Sequence, residues 1–186
     1  MKNSKILALA LLTVFTFSSC NNDDPEVVNE EEVITTVTTT LTAGSSVITL
    51  TSRDLDGDGP NKPVLTVSGD LKVNTTYKGT TTFLNETVTP ADDITKEVKE
   101  EGDEHQLFYQ VPAAVGTFTY GDMDKNGNPI GLIFELKTGA APATGKLTVT
   151  LRHEPKKSAA GVSAGDITNA GGATDAAVTF DVKVVN

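Results

Sequence analysis

Tryptophan is absent from the chain, aromatic residues make up 5% of it, and there is a single cysteine. A lone cysteine cannot form an internal disulfide, a Cys-x-x-Cys redox pair or a thiolate zinc site. With 15 basic side chains against 25 acidic ones, and a formal charge of −10, no basic stripe is available to hold a phosphate backbone, which excludes nucleic acid as a partner. Catalytic signatures are missing as well. No GxSxG elbow, HExxH helix or phosphate-cradling glycine loop occurs, so no enzymatic activity is expected. Nor is there an apolar run of the roughly 20 residues that a membrane-spanning helix needs.

What is present begins with an address. Lys2 and Lys5 supply a positive start, Ile6 to Phe17 an uncharged and mostly apolar stretch, and Ser18-Ser19 the small residues before a cleavage site. This is the layout of a secretory signal peptide over residues 1–19. Cys20 follows directly, and its position resembles the lipobox of bacterial lipoproteins, in which the thiol receives a diacylglyceryl group before cleavage. An ordinary secretory signal with an incidental cysteine is the alternative. Two acyl chains, at about 0.8 kcal/mol per buried methylene, hold a protein stably on a membrane. Residues 20–32 then read as a lipidated cysteine and a solvated tether, because NNDDPEVVNEEE carries six acidic groups and no basic one. Loss of Lys2 and Lys5 takes the formal charge of the mature chain to −12.

From residue 33 to 186 the composition turns to threonine, valine and glycine. Short β-branched runs alternate with Gly, Asn, Asp and Pro clusters, the pattern of a single all-β domain. Strands are expected at 33–41, 47–52, 63–67, 76–84, 106–111, 116–120, 131–137, 146–153 and 177–185. In the last of these, Val178, Phe180, Val182 and Val184 alternate with polar neighbours, as in a half-buried strand. Residues 92–102 fit either a strand or a short helix capped by Asp92 or Asp93, and the strand is preferred. About nine strands point to an immunoglobulin-like antiparallel β-sandwich, with a β-barrel as the alternative. The connection over 154–175 is long enough to imply hidden structure or a functional loop.

Several phrases together, EEEVITTVTTTL, RDLDGDGP, LNETVTPADDIT, EEGDEHQLFY, LTVTLRHEP and GDITNAGG followed by TFDVKV, resemble a family of small outer-membrane lipoproteins of marine and environmental Bacteroidota. The resemblance spans essentially the whole mature chain. Members often carry the name type 1 periplasmic binding fold, although two lobes of alternating strands and helices need more length and more amphipathic helix than this chain has. The resemblance implies a lipid-anchored protein of the outer membrane and a TonB-dependent receptor as a candidate partner. The acidic residues after Cys20 resemble the signal that exports such lipoproteins to the cell surface, with the periplasmic face as the alternative.

The two histidines are the most informative side chains, since each sits beside carboxylates: Asp103-Glu104-His105 and His153-Glu154. His105 is in phase with Leu107, Tyr109 and Val111, and His153 with Leu147, Val149 and Leu151, so both side chains start from the core-facing side of a strand. Imidazole and carboxylate together suit zinc, copper, iron or nickel, so a site of His105 and His153 with one or two of Asp103, Glu104 and Glu154 is a candidate. The competing reading has each histidine simply hydrogen-bonded to a neighbouring carboxylate. Haem held between the two histidines is a further reading, weakened by the few aromatics.

Two loops resemble calcium sites: Asp54, Asp56 and Asp58 before Gly59, and Asp122, Asp124 and Asn126 before Gly127. Both lack the glutamate at position twelve of an EF-hand and also fit polar β-turns. The expected function is a membrane-anchored lipoprotein with a ligand- or partner-binding sandwich, as an accessory to a TonB-dependent receptor. A metal- or haem-capturing protein and a calcium-stabilised structural or adhesive surface protein are the alternatives. Oligomeric state and ligand identity are not legible in the sequence.

Overall fold

Alternating apolar and polar residues form ten strands among the described residues: β1 (Thr36–Ala43), β2 (Ser46–Arg53), β3 (Val64–Val67), β4 (Leu71–Lys72), β5 (Thr76–Leu84), β6 (His105–Gln110), β7 (Gly116–Tyr120), β8 (Ile133–Thr138), β9 (Ala143–His153) and β10 (Ala173–Val185). The structure is a computed structural model that describes residues 32–57 and 59–186. The expected signal peptide, Cys20, the tether through residue 31, and Asp58 lie outside the described residues. The strands make two sheets, ordered β3-β2-β1-β5-β8-β7 and β4-β10-β9-β6. These pack as an all-β sandwich rather than closing into one barrel. The strand pairings are antiparallel except β4 with β10, which is parallel.

The core lies between the sheets. Leu41, Leu50, Phe83, Phe134 and Leu136 from one sheet share a buried cluster with Leu107, Leu147, Leu151, Phe180 and Val184 from the other. Removing such side chains from water contributes about 1.5–3 kcal/mol each. A polar thread crosses this core without leaving its groups unpaired. The Thr39 and Thr81 hydroxyls are 2.9 Å apart, the Thr81 and Tyr109 hydroxyls are also 2.9 Å apart, and the Tyr109 hydroxyl donates to the Gly131 carbonyl at 2.7 Å. Gly79 is required by packing, since a Cβ there would meet the Phe134 ring at 2.2 Å.

Each of the nine expected strands is present, with small shifts at the ends. The tenth, β4, is two residues long and too short to show a period. Residues 92–102 correct the strand reading: Ile94–Glu100 is a helix, α1. A strand would put Lys96 on the same face as Ile94 and Val98. The helix buries those two residues, four apart, and leaves the Lys96 side chain 74% exposed.

The long 154–175 connection holds hidden structure. Two 3₁₀ turns, Val162–Ala164 and Ile167–Asn169, fold it into a cover. Val162 and Ala170 bury Phe108 on the side of β6 away from the main core, and Gln106 Nε2 donates to the Val162 carbonyl at 2.8 Å. This is why β6 is buried on both faces.

Candidate metal centre

The β6–β9 ladder brings the two histidines together. In its register His105 stands opposite His153, Leu107 opposite Leu151 and Tyr109 opposite Val149. Both imidazoles therefore lie on the core side, at the end of the sheet, with ring centroids 4.6 Å apart and planes tilted by 34°. His105 is fully buried and His153 is 5% exposed.

Two carboxylates that the histidine motifs do not contain complete the cluster. Asp175 sits where the β9–β10 register shifts between Thr174 and Ala176. A bulge re-aims a side chain that a regular strand would send elsewhere. Asp175 Oδ2 is 3.8 Å from His105 Nε2, and its Oδ1 is 3.8 Å from His153 Nδ1. Glu32, just before β1, places Oε1 3.0 Å from His105 Nε2, with its side chain only 5% exposed. The acidic run makes residue 32 the last of a solvated tether. Its side chain is instead buried against the domain, because it meets an imidazole there.

The tautomer of His105 follows from its other ring nitrogen. Nδ1 is 3.2 Å from the Glu101 carbonyl oxygen, which can only accept, so Nδ1 carries a proton. Such a bond orients a ring for ligation through Nε2. His105 Nε2 is paired with Glu32 Oε1 at 3.0 Å, and the other oxygen, Glu32 Oε2, is buried without a hydrogen bond. Burial pushes the His105 imidazolium down, but Glu32, the Glu101 carbonyl and Asp175 outweigh it, so the ring titrates above its ordinary value. Negative charge accumulates nearby. Burial raises the Glu97 carboxyl, and Glu32, Glu101 and Asp92 raise it further.

Three donor sets emerge among the described residues, each with its ligand atoms within 4.8 Å of one another: His105, His153 and Asp175; Glu32, Glu101 and His105; and Glu104, His153 and Glu154. The expected Glu104 and Glu154 thus stand on the exposed side of His153, with Glu104 Oε2 3.9 Å from Nε2. Asp103 does not join them and pairs with Lys125 at 2.9 Å. Glu32 and Asp175 have no signal in sequence, since one lies in an acidic run and the other falls in the expected long connection and is placed by an unforeseen bulge in β10.

The calcium-like loops behave differently. Asp124 Oδ2 is 2.9 Å from the ammonium of Lys157, while its Oδ1 accepts from the amides of Asn126 and Asn128. Asp122 Oδ1 accepts from the Gly131 amide at 2.8 Å. An ammonium already neutralises the carboxylate that calcium would need, and Asn126 contributes its backbone to a turn. In the first loop, Asp56 Oδ2 accepts from the Asn61 side chain at 2.8 Å, and Asp54 points a buried Oδ1 that has no hydrogen bond. Haem would need its macrocycle between the imidazoles, whose rings already touch.

No protein-family model, curated protein or solved structure matches this chain.

Proposed function

We propose that this is a lipid-anchored envelope protein whose sandwich domain binds a divalent transition-metal ion, zinc foremost, through His105, His153 and Asp175, with Glu32 against His105 at the edge of the centre. The observation that supports it best is the geometry of the donors. A tetrahedral zinc with bonds of 2.0–2.1 Å separates its ligand atoms by about 3.3 Å. The 3.8 Å separations of Asp175 from His105 Nε2 and from His153 Nδ1 lie within about 0.5 Å of that value. The competing hydrogen-bonded reading fits His105, 3.0 Å from Glu32, and fails at His153, whose carboxylate separations of 3.8–3.9 Å are too long. A buried carboxylate oxygen without a hydrogen bond, Glu32 Oε2, carries a desolvation cost that a cation offsets. Burial of both imidazoles favours a closed holding or carrying site over an open catalytic one.

The anchor at Cys20, the outer-membrane location and service to a TonB-dependent receptor belong to the same reading. A metal held at that membrane suits an accessory of an uptake receptor. Elemental analysis of the purified protein after zinc loading and desalting tests the centre. One tightly held ion per chain is expected, lost in His105→Ala and His153→Ala. Zinc content untouched by both substitutions sinks the reading.

A further inference from the structure

A cavity of about 450 Å³ adjoins the centre, and its wall includes Glu32, Asp175, Asp54, Ser52 and Thr35. Asp175 is a carboxylate of the proposed metal centre, and Glu32 borders it through His105. A third, Asp54, follows β2, where its amide donates to the Thr35 carbonyl at 2.7 Å. Asp54 Oδ1 and Glu32 Oε2 are both buried with no hydrogen bond, and the Glu32 side chain is only 5% exposed. The imidazoles, at 0% and 5% exposure, are not open to solvent, so an incoming ion passes carboxylates before it reaches them.

We infer that this cavity is the port through which a hydrated divalent transition-metal cation enters the centre. Asp54 takes the ion from solvent and Glu32 passes it to His105. The inference rests on the metal-binding reading above. A cleft with acidic walls and a low-dielectric lining focuses the field and raises the local cation concentration, which can speed association by 10–10³-fold. There is room for the ion with its water: six waters at about 30 Å³ each occupy roughly 180 Å³. Asp54 belongs to the Asp-rich loop that the sequence offers for calcium, and the cavity gives its unpaired oxygen a different task.

Stopped-flow uptake of Co²⁺ by the detergent-solubilised mature protein, followed by its visible absorption, tests this. Asp54→Asn is expected to slow uptake about tenfold and to leave the final Co²⁺ spectrum unchanged, whereas Asp54→Glu retains the rate. Glu32→Gln slows uptake as well, as the next carboxylate on the path should. In the unsubstituted protein the uptake rate falls as ionic strength rises, a readout that needs no variant to fold. Unchanged uptake in Asp54→Asn, a spectrum altered by it, a rate indifferent to salt, or slowing by Glu104→Gln alone would each overturn the port while leaving the centre standing. No Co²⁺ bound by the unsubstituted protein overturns the centre and the port together.

Discussion

Two buried ionic clusters stand in this domain, and they differ in how completely their charges are answered. Lys157 is 6% exposed, yet its Nζ reaches the Gly102 carbonyl, the Pro129 carbonyl and Asp124 Oδ2. Every donor of that ammonium has an acceptor. Burial pushes the Asp124 carboxyl up, but Lys157 and the Asn128 and Asn126 amides outweigh it and hold the group below its ordinary range. Burial also draws Lys157 below its ordinary value, with Asp124 opposing. Three acceptors around Nζ keep the pair charged. At the histidine cluster, by contrast, His105 Nε2 has only the 3.0 Å pairing to Glu32 Oε1, and Glu32 Oε2 has no hydrogen bond. The first cluster carries its own cation and pins the 154–175 cover to the turn at 122–130. The second is short of positive charge: its one cation is the proton that His105 shares with Glu32, and the surrounding carboxylates leave it open to a metal ion in that proton's place.

The strongest response should come from the completed cluster. Lys157→Met leaves Asp124 buried without its partner and should destabilise the domain by about 3–5 kcal/mol in urea unfolding, with zinc affinity unchanged. Equal stability would mean that the pair contributes nothing and that the contrast fails. Next comes the incomplete cluster. Zinc at a hundredfold excess over Kd should stabilise the unsubstituted protein by about 2.7 kcal/mol, an effect reversed by a chelator and absent in His105→Ala. Glu32→Gln separates the two clusters further: zinc affinity should fall about ten- to a hundredfold, while the metal-free protein loses less stability than in Lys157→Met, because the amide can still meet the His105 ring. A loss of metal-free stability as large as that of Lys157→Met would make Glu32 structural.

The weakest response is one of pH. The folded-state value of Asp124 lies below the ordinary 3.8, so its contribution is present above that pH and is lost as pH falls through the depressed folded value. Pepsin cleavage within 155–171 should therefore rise only below about pH 4. Cleavage that begins between pH 5 and 6 would point to a different group as the latch.

Much of this is legible in the chain. Period-two alternation locates nine strands, and the phase of Leu107 and Tyr109 with His105, and of Leu147, Val149 and Leu151 with His153, already aims both imidazoles at the core. The helix at Ile94–Glu100 is ambiguous in sequence because Ile94 and Val98 satisfy both periods, and only the exposure of Lys96 decides between them. Glu32 and Asp175 are illegible for another reason. Neither has a local pattern, and each acquires its place through strands far away in sequence.

Local sequence is enough to specify an all-β domain with two histidines facing inward, because side-chain direction along a strand follows from backbone geometry within that strand. Folding was needed to bring those histidines face to face, to turn Asp175 toward them at a bulge, to close Glu32 over His105, and to answer Asp124 with Lys157 rather than a metal. Register, bulges and long-range ion pairs depend on which strands meet, and that is settled by the packing of the whole core.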